Sequence, residues 1–326
     1  MQTRQLGNLW PVSALTLGGG GIGQVWGQTD RQESVATVRL AVDSGVTLLD
    51  LAPGYGRGEA EAVVGEAFGG RLPNGVRVTT KCQLGSPPAD EIAATIRRRL
   101  QHSLAGLQLA HVDLLFLHSN IVPDDYNYPD RELQDRFATR WSLYENEVIP
   151  TFQALQQEGL IGAWGITGVG IPATIREALV NTRRPGAVQC VANCLDSAGD
   201  MRRYPEPAEP RVTIAAAAQH GVGVMGIRAV QAGALTDGFD REMSPGEDLA
   251  DFERAAAFRD LAAQWGTTPA RLAHRYALSM EYVDTVVLGV KNTQELVECL
   301  EAESDGPLSA DEIQAIDSAC QNSTES

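Results

Sequence analysis

Residues 47–67, TLLDLAPGYGRGEAEAVVGEA, open as a buried strand and close as a helix. Between the two lie Asp50, Pro53, Gly54, Tyr55, Gly56 and Gly58. Proline and glycine supply the dihedrals of a tight turn, but a turn needs neither a carboxylate nor a phenol. A capped helix start with an incidental tyrosine is the bland reading. A catalytic loop at the carboxyl end of a barrel strand accounts for both functional side chains as well.

Outward from this stretch the same alternation repeats. Short apolar runs at 14–17, 47–51, 76–80, 112–117, 163–167, 187–191, 223–227 and 285–288 read as strands. Helical patterns follow at 33–43, 59–68, 90–106, 143–158, 172–179, 211–220, 249–265 and 293–302, with an extra helix at 268–280 before the last strand. Eight β/α units joined by short links predict an α/β fold closed into a (β/α)8 TIM barrel. The 326 residues suit a single domain of that kind, 1–326. Ahead of the first strand, TRQLGNLWPVSAL reads as two short strands about the turn Gly7-Asn8, a hairpin plug for the bottom of the barrel. The connection 119–141, SNIVPDDYNYPDRELQDRFATRW, is expected to be irregular, one of the extra loops at the carboxyl-terminal face. Loops of that length commonly serve as lids or binding loops.

A net charge of −16 argues against nucleic acid and against anionic membranes, which call for basic surface. No apolar run reaches the ~18 residues of a spanning helix, and the N-terminus lacks a signal-peptide core. A soluble, cytoplasmic protein is expected. An apolar fraction of 43% predicts a folded chain, with disorder expected only in the polar residues after Cys320. Five cysteines form an odd set without a C-x-x-C pair, so no disulfide framework is expected. Cys190 and Cys194 are expected to share the core face of a strand. His102, His111, His220 and His274 lack ligand spacing, and no metal is expected.

Side chains at the carboxyl ends of barrel strands face one site. There the sequence places Asp50 with Tyr55 after the second strand, Lys81 after RVTT, and His118 after DLLFL. A free phenol is a sluggish acid, and a nearby ammonium favours its phenolate. Lys81 is expected to supply that ammonium and to lower the pKa of Tyr55, with Asp50 orienting the lysine. His118 can donate to an oxygen near the phenol. The set describes a proton donor for a developing alkoxide, that is, carbonyl reduction or its reverse.

The blocks LLDLAPGYGRGEAEAVVGEA, VTTKC and VDLLFLHS resemble the three catalytic blocks of the aldo-keto reductases, and the resemblance spans nearly the whole chain. It implies a (β/α)8 barrel, a nicotinamide cofactor and a catalytic tetrad at Asp50, Tyr55, Lys81 and His118. For the cofactor, the resemblance implies Thr167 in WGITG, Gln189 in VQCVAN, and Arg228, Gly233 and Leu235 in GIRAVQAGALT. Gly168 stands where the family usually has asparagine, Ile227 where it has a stacking aromatic, and Arg228 where it has serine. GVKNTQELVE resembles the segment that binds the adenosine 2′-phosphate, which implies roles for Gly289, Lys291, Asn292 and Glu298. A helix start after Gly289 is a suitable anion site in its own right. NADPH is therefore the expected cofactor, with NAD possible. Trp26 and Tyr126 are the expected substrate-binding residues, on loops that with the segment 196–210 wall the pocket of a small-molecule carbonyl substrate. Two other readings are a non-catalytic nicotinamide-binding subunit of the same fold, and a lyase forming a Schiff base on Lys81.

Overall fold

A computed structural model describes residues 1–239 and 241–321. The expected polar tail after Cys320 falls, apart from Gln321, outside the described residues. Eight parallel strands close the barrel: β1 (Leu15–Gly18), β2 (Leu48–Asp50), β3 (Arg77–Cys82), β4 (Val112–Leu117), β5 (Ile161–Thr167), β6 (Ala187–Val191), β7 (Gly223–Ile227) and β8 (Thr285–Leu288). Each strand pairs with its neighbour in sequence, and β8 closes on β1 with Leu288 opposite Leu17. Every expected strand is present within a residue or two, and β3 runs on through Lys81 and Cys82.

The antiparallel pair Thr3–Gln5 and Pro11–Ser13 forms the expected hairpin. Leu6 and Val12 bury among Leu48, Leu114, Phe116 and Met225, so the hairpin seals the interior with apolar side chains. The fit is close, because a Cβ at Gly223 would stand 2.6 Å from Leu6 Cγ. Arg4 donates to the carbonyls of Leu278 and Val283 at 2.9 and 3.1 Å, tying the plug to the region before β8.

Helices cover the outside, among them Arg31–Asp43, Glu59–Phe68, Ala89–Leu107, Pro172–Val180, Pro269–Ser279 and Thr293–Ser304. Among the described residues no helix is long and apolar enough to cross a membrane. Three features depart from the sequence expectation. The 119–141 connection is ordered: Asn120–Val122 pairs in parallel with Ala138–Arg140, and helix Arg131–Phe137 lies between, capped by Asp130. A final helix, Ala310–Gln321, packs Ile316 and Cys320 against Phe258 and Tyr276. Cys194 lies beyond the end of β6, in a different apolar cluster from Cys190.

Candidate active site

Strand alternation brings the polar groups into the barrel mouth. Asp50 of β2 lies opposite Thr79 of β3, and Thr79 and Lys81, two residues apart, share a face. Asp50 Oδ2 is 2.7 Å from Lys81 Nζ, and Oδ1 accepts from Thr79 Oγ1 at 2.6 Å and from Gln189 Nε2 at 2.7 Å. Lys81 also donates to the carbonyl of Leu51 at 2.9 Å. Thr80 points the other way and donates to the buried Glu61 at 2.6 Å. The Asp50–Lys81 pair is thus dry and hydrogen-bonded on both partners, the condition under which a buried ion pair is tolerated.

The turn after β2 places the phenol above this pair. Gly56, Arg57 and Gly58 take φ values of 64°, 57° and 95°. A Cβ at Gly56 would meet Gly23 O at 2.4 Å, so both its dihedrals and its contacts require glycine. Tyr55 packs its ring with the centroid 4.7 Å from Lys81 Nζ and 6.1 Å from the ring of His118, edge to face. His118 leaves β4 with its amide bonded to the carbonyl of Cys82 at 2.8 Å.

Burial governs the acidities. It would lower the Lys81 pKa by itself, but Asp50 and Tyr55 more than reverse that, and the ammonium stands above its ordinary value. Burial raises the Tyr55 pKa, Lys81 pulls it down and Asp50 pushes it up, so the phenol ends above its usual value. The sequence expectation of a lowered phenol pKa is corrected here, because loss of solvent outweighs the neighbouring ammonium. A phenol that stays protonated, with an ammonium ready to stabilise its anion, is suited to giving up a proton on demand. Burial, and secondarily Lys81, push His118 down to about 3, so it is neutral at ordinary pH.

These groups open into a cavity of about 370 Å³. Asp50, Tyr55, His118, Thr167 and Gln189 line one side of it, and Gly289, Lys291, Glu295 and Glu298 another. Gly18, Gly19, Gly20 and Gly233 leave further wall without side chains. At Gly20 a Cβ would stand 2.5 Å from Trp26 Nε1. A wall of closely packed backbone, with a hydroxyl and an amide at Thr167 and Gln189, suits a flat, polar, extended ligand such as a nicotinamide dinucleotide.

The expected binding residues divide. Trp26, Thr167, Gln189, Gly233, Gly289, Lys291 and Glu298 line the cavity. Arg228 also reaches it, but its guanidinium is held by Asp248 and, at 2.8 Å, by Gln231. Leu235 does not line it; it packs beside Phe258 and Leu272. Asn292 caps helix Thr293–Ser304, accepting from Glu295 N at 2.8 Å. Tyr126 does not line it either, since its hydroxyl donates to Glu206 at 3.0 Å and its ring abuts Tyr128. Sequence reasoning did not identify Met201, Arg241 and His274, which do line the cavity. Met201 lies on the expected wall segment 196–210, whereas nothing local marks Arg241 or His274. Arg241 donates to the carbonyl of Ala232 at 2.8 Å and stands 5.6 Å from the centroid of Trp26.

Comparison with known proteins identifies the family. The L-galactose dehydrogenase of Arabidopsis thaliana is 27% identical over 302 residues, covering 91% of this chain and 86% of that protein. The NADH-specific methylglyoxal reductase of Escherichia coli (strain K12) is 27% identical over 271 residues, 77% of this chain and 74% of that one. The holo form of an aldo-keto reductase from Bacillus halodurans superposes with a TM-score of 0.73 at 25% identity, covering 98% and 96% of the two chains. The model of the Aldo/keto reductase family matches residues 14–321. With the closed barrel and nearly the whole chain matched, this protein belongs to the Aldo/keto reductase family.

Proposed function

We propose that the protein is an oxidoreductase that moves a hydride between a nicotinamide dinucleotide and the carbonyl carbon of an aldehyde or ketone, or the reverse from an alcohol. The observation that carries this reading is the dry Asp50–Lys81 pair beneath Tyr55, with neutral His118 edge-on to the phenol. A bound nicotinamide would supply the hydride, and this chain's residues handle the proton. In the reducing direction Tyr55 gives its hydroxyl proton to the carbonyl oxygen, which becomes the alcohol. Lys81 stabilises the resulting phenolate, Asp50 keeps the lysine charged, and His118 holds the substrate oxygen. Thr167 and Gln189 offer polar groups to the carboxamide of the nicotinamide.

The names of two relatives specify L-galactose and methylglyoxal, both small and polar. Small polar carbonyl compounds are therefore the proposed substrates. From sequence alone Lys291 favours NADPH, while one relative is named for NADH; the chemistry at Tyr55 accepts either. The buried, unpaired thiols suit a reducing compartment, and the cytoplasm is the proposed location. The Schiff-base reading requires a neutral lysine, and the raised pKa of Lys81 opposes it.

The test is single-turnover oxidation of bound NADH or NADPH by a panel of small aldehydes and ketones, with borohydride trapping in parallel. Aldehyde-dependent loss of the reduced-nicotinamide signal is expected. Binding without turnover across the panel would favour the non-catalytic subunit, and a borohydride-stable adduct on Lys81 would favour the lyase.

A further inference from the structure

At the Lys291 side the cavity meets the start of helix Thr293–Ser304. A lysine followed by a helix N-terminus offers an ammonium and free amides, which is why the sequence suggests a phosphate there. In the folded chain Lys291 and the amides of Thr293 and Glu295 already have partners. Lys291 Nζ is 2.6 Å from Glu295 Oε1, and the amide of Lys291 donates to Glu295 Oε2 at 2.9 Å. The amide and hydroxyl of Thr293 both donate to Glu33 Oε1, at 2.7 and 2.8 Å. Glu33 comes from helix Arg31–Asp43, across the closure of the barrel. The amide of Glu295 is taken by Asn292. Glu298 adds a third carboxylate to the neighbourhood. Thus Glu295 is bonded directly to Lys291, Glu33 to Thr293 two residues on, and Glu298 lines the same cavity, with Arg241 on its wall as well.

Given the reading as a nicotinamide-dependent oxidoreductase, we propose that Glu295, supported by Glu33, selects a dinucleotide with a free 2′-hydroxyl, NAD(H), against one carrying a 2′-phosphate. A phosphate monoester brings close to two negative charges and accepts hydrogen bonds only. To reach Lys291 or the Thr293 amide it must displace a carboxylate already bonded there, and then lie beside that carboxylate. A ribose hydroxyl meets the opposite situation. It donates to Glu295, whose two oxygens hold about four acceptor sites, and it leaves the Lys291–Glu295 pair intact. The same Lys291 that suggests NADPH in the sequence is neutralised four residues further on. Because both partners are partly exposed, solvent and salt screen the effect.

The experiment titrates the wild type, Glu295→Gln and Glu33→Gln with NADH and with NADPH in separate runs, reading nicotinamide fluorescence at fixed ionic strength. Circular dichroism checks the fold of each variant. Wild type is expected to bind NADH roughly ten- to hundredfold more tightly than NADPH, the span expected for one hydrogen bond to a charged group. Glu295→Gln should move the ratio toward NADPH by about tenfold or more, weakening NADH while tightening NADPH. Glu33→Gln should move it the same way by less, since the partner of Lys291 is untouched. Tighter binding of NADPH by wild type overturns the selection and leaves the oxidoreductase reading standing, whereas failure to bind either dinucleotide overturns both. An unchanged ratio in folded Glu295→Gln, or in Glu33→Gln should the first variant not fold, also overturns it.

Discussion

Two ion pairs of nearly the same length stand at the cavity, Asp50–Lys81 at 2.7 Å, with Asp50 on its wall, and Lys291–Glu295 at 2.6 Å, with both partners on its wall. Their surroundings differ. The side chains of Lys81 and Asp50 are 0% and 3% exposed, and those of Lys291 and Glu295 are 17% and 35% exposed. Interaction between unit charges scales inversely with the local dielectric, so contact distance does not rank the two pairs. Burial does. Beneath Tyr55 the charges set the acidity of their neighbours, and removing one strands the other without water. At Lys291 solvent shares the charge, so the pair costs little to break and can discriminate between ligands without holding up the fold.

The sharpest contrast lies in catalysis. Tyr55→Phe removes one hydroxyl from the dry side and should slow hydride transfer by ~10²–10⁴ while leaving dinucleotide affinity nearly unchanged. Single-turnover rates and fluorescence titrations would show this. Wild-type rates in Tyr55→Phe, with chemistry shown to be limiting, would remove the proton donor from this side of the cavity.

Stability should separate the pairs next. Lys81→Met leaves Asp50 buried without its ammonium and should cost about 3–5 kcal/mol. Lys291→Met should cost no more than about 1 kcal/mol. Urea unfolding of the apo protein at one pH and salt concentration measures both, and equal losses would erase the distinction drawn from burial.

The dry side also predicts a pH dependence. His118 is held down to about 3 in the folded protein by burial and by Lys81, against an unfolded value of about 6.5. Between these values the unfolded chain binds the proton and the folded chain does not, so stability falls as pH drops from about 6.5 toward 3. His118→Gln should flatten that part of the profile. In Lys81→Met the imidazole should titrate at higher pH by NMR, because its cationic neighbour is gone. A His118 midpoint near 6.5 in the wild type would contradict the exclusion of water there.

The smallest effect is expected away from both pairs. Tyr126→Phe removes the bond to Glu206 and should cost ~0.5–1.5 kcal/mol. It should leave the hydride-transfer rate unchanged, since Tyr126 does not line the cavity. A slowed rate would bring the 119–141 segment into the site.

The barrel and the meeting of Asp50, Tyr55, Lys81 and His118 at its mouth were legible in the chain because both follow from local pattern. Apolar runs of strand length alternate with helical periods, and parallel strands in a closed barrel end on one face, so Asp50, Lys81 and His118 had to converge. The final helix was legible too and was overlooked: Ser309 and Glu312 form a capping box, with each backbone amide bonded to the other's side chain. Other features depend on partners that no local window contains. The order of the 119–141 segment needs the pairing of Asn120–Val122 with Ala138–Arg140. Arg228 lines the cavity with its guanidinium bonded to Asp248, twenty residues on. The raised pKa of Tyr55 needs water excluded on several sides at once. Glu33 reaches Thr293, 260 residues away, because pairing of β8 with β1 brings the first and last helices of the barrel together. Residue type and spacing determined which groups stand at the strand ends. Solvent exclusion and barrel closure, which belong only to the folded chain, decided which of those groups are charged and which are already bonded to one another.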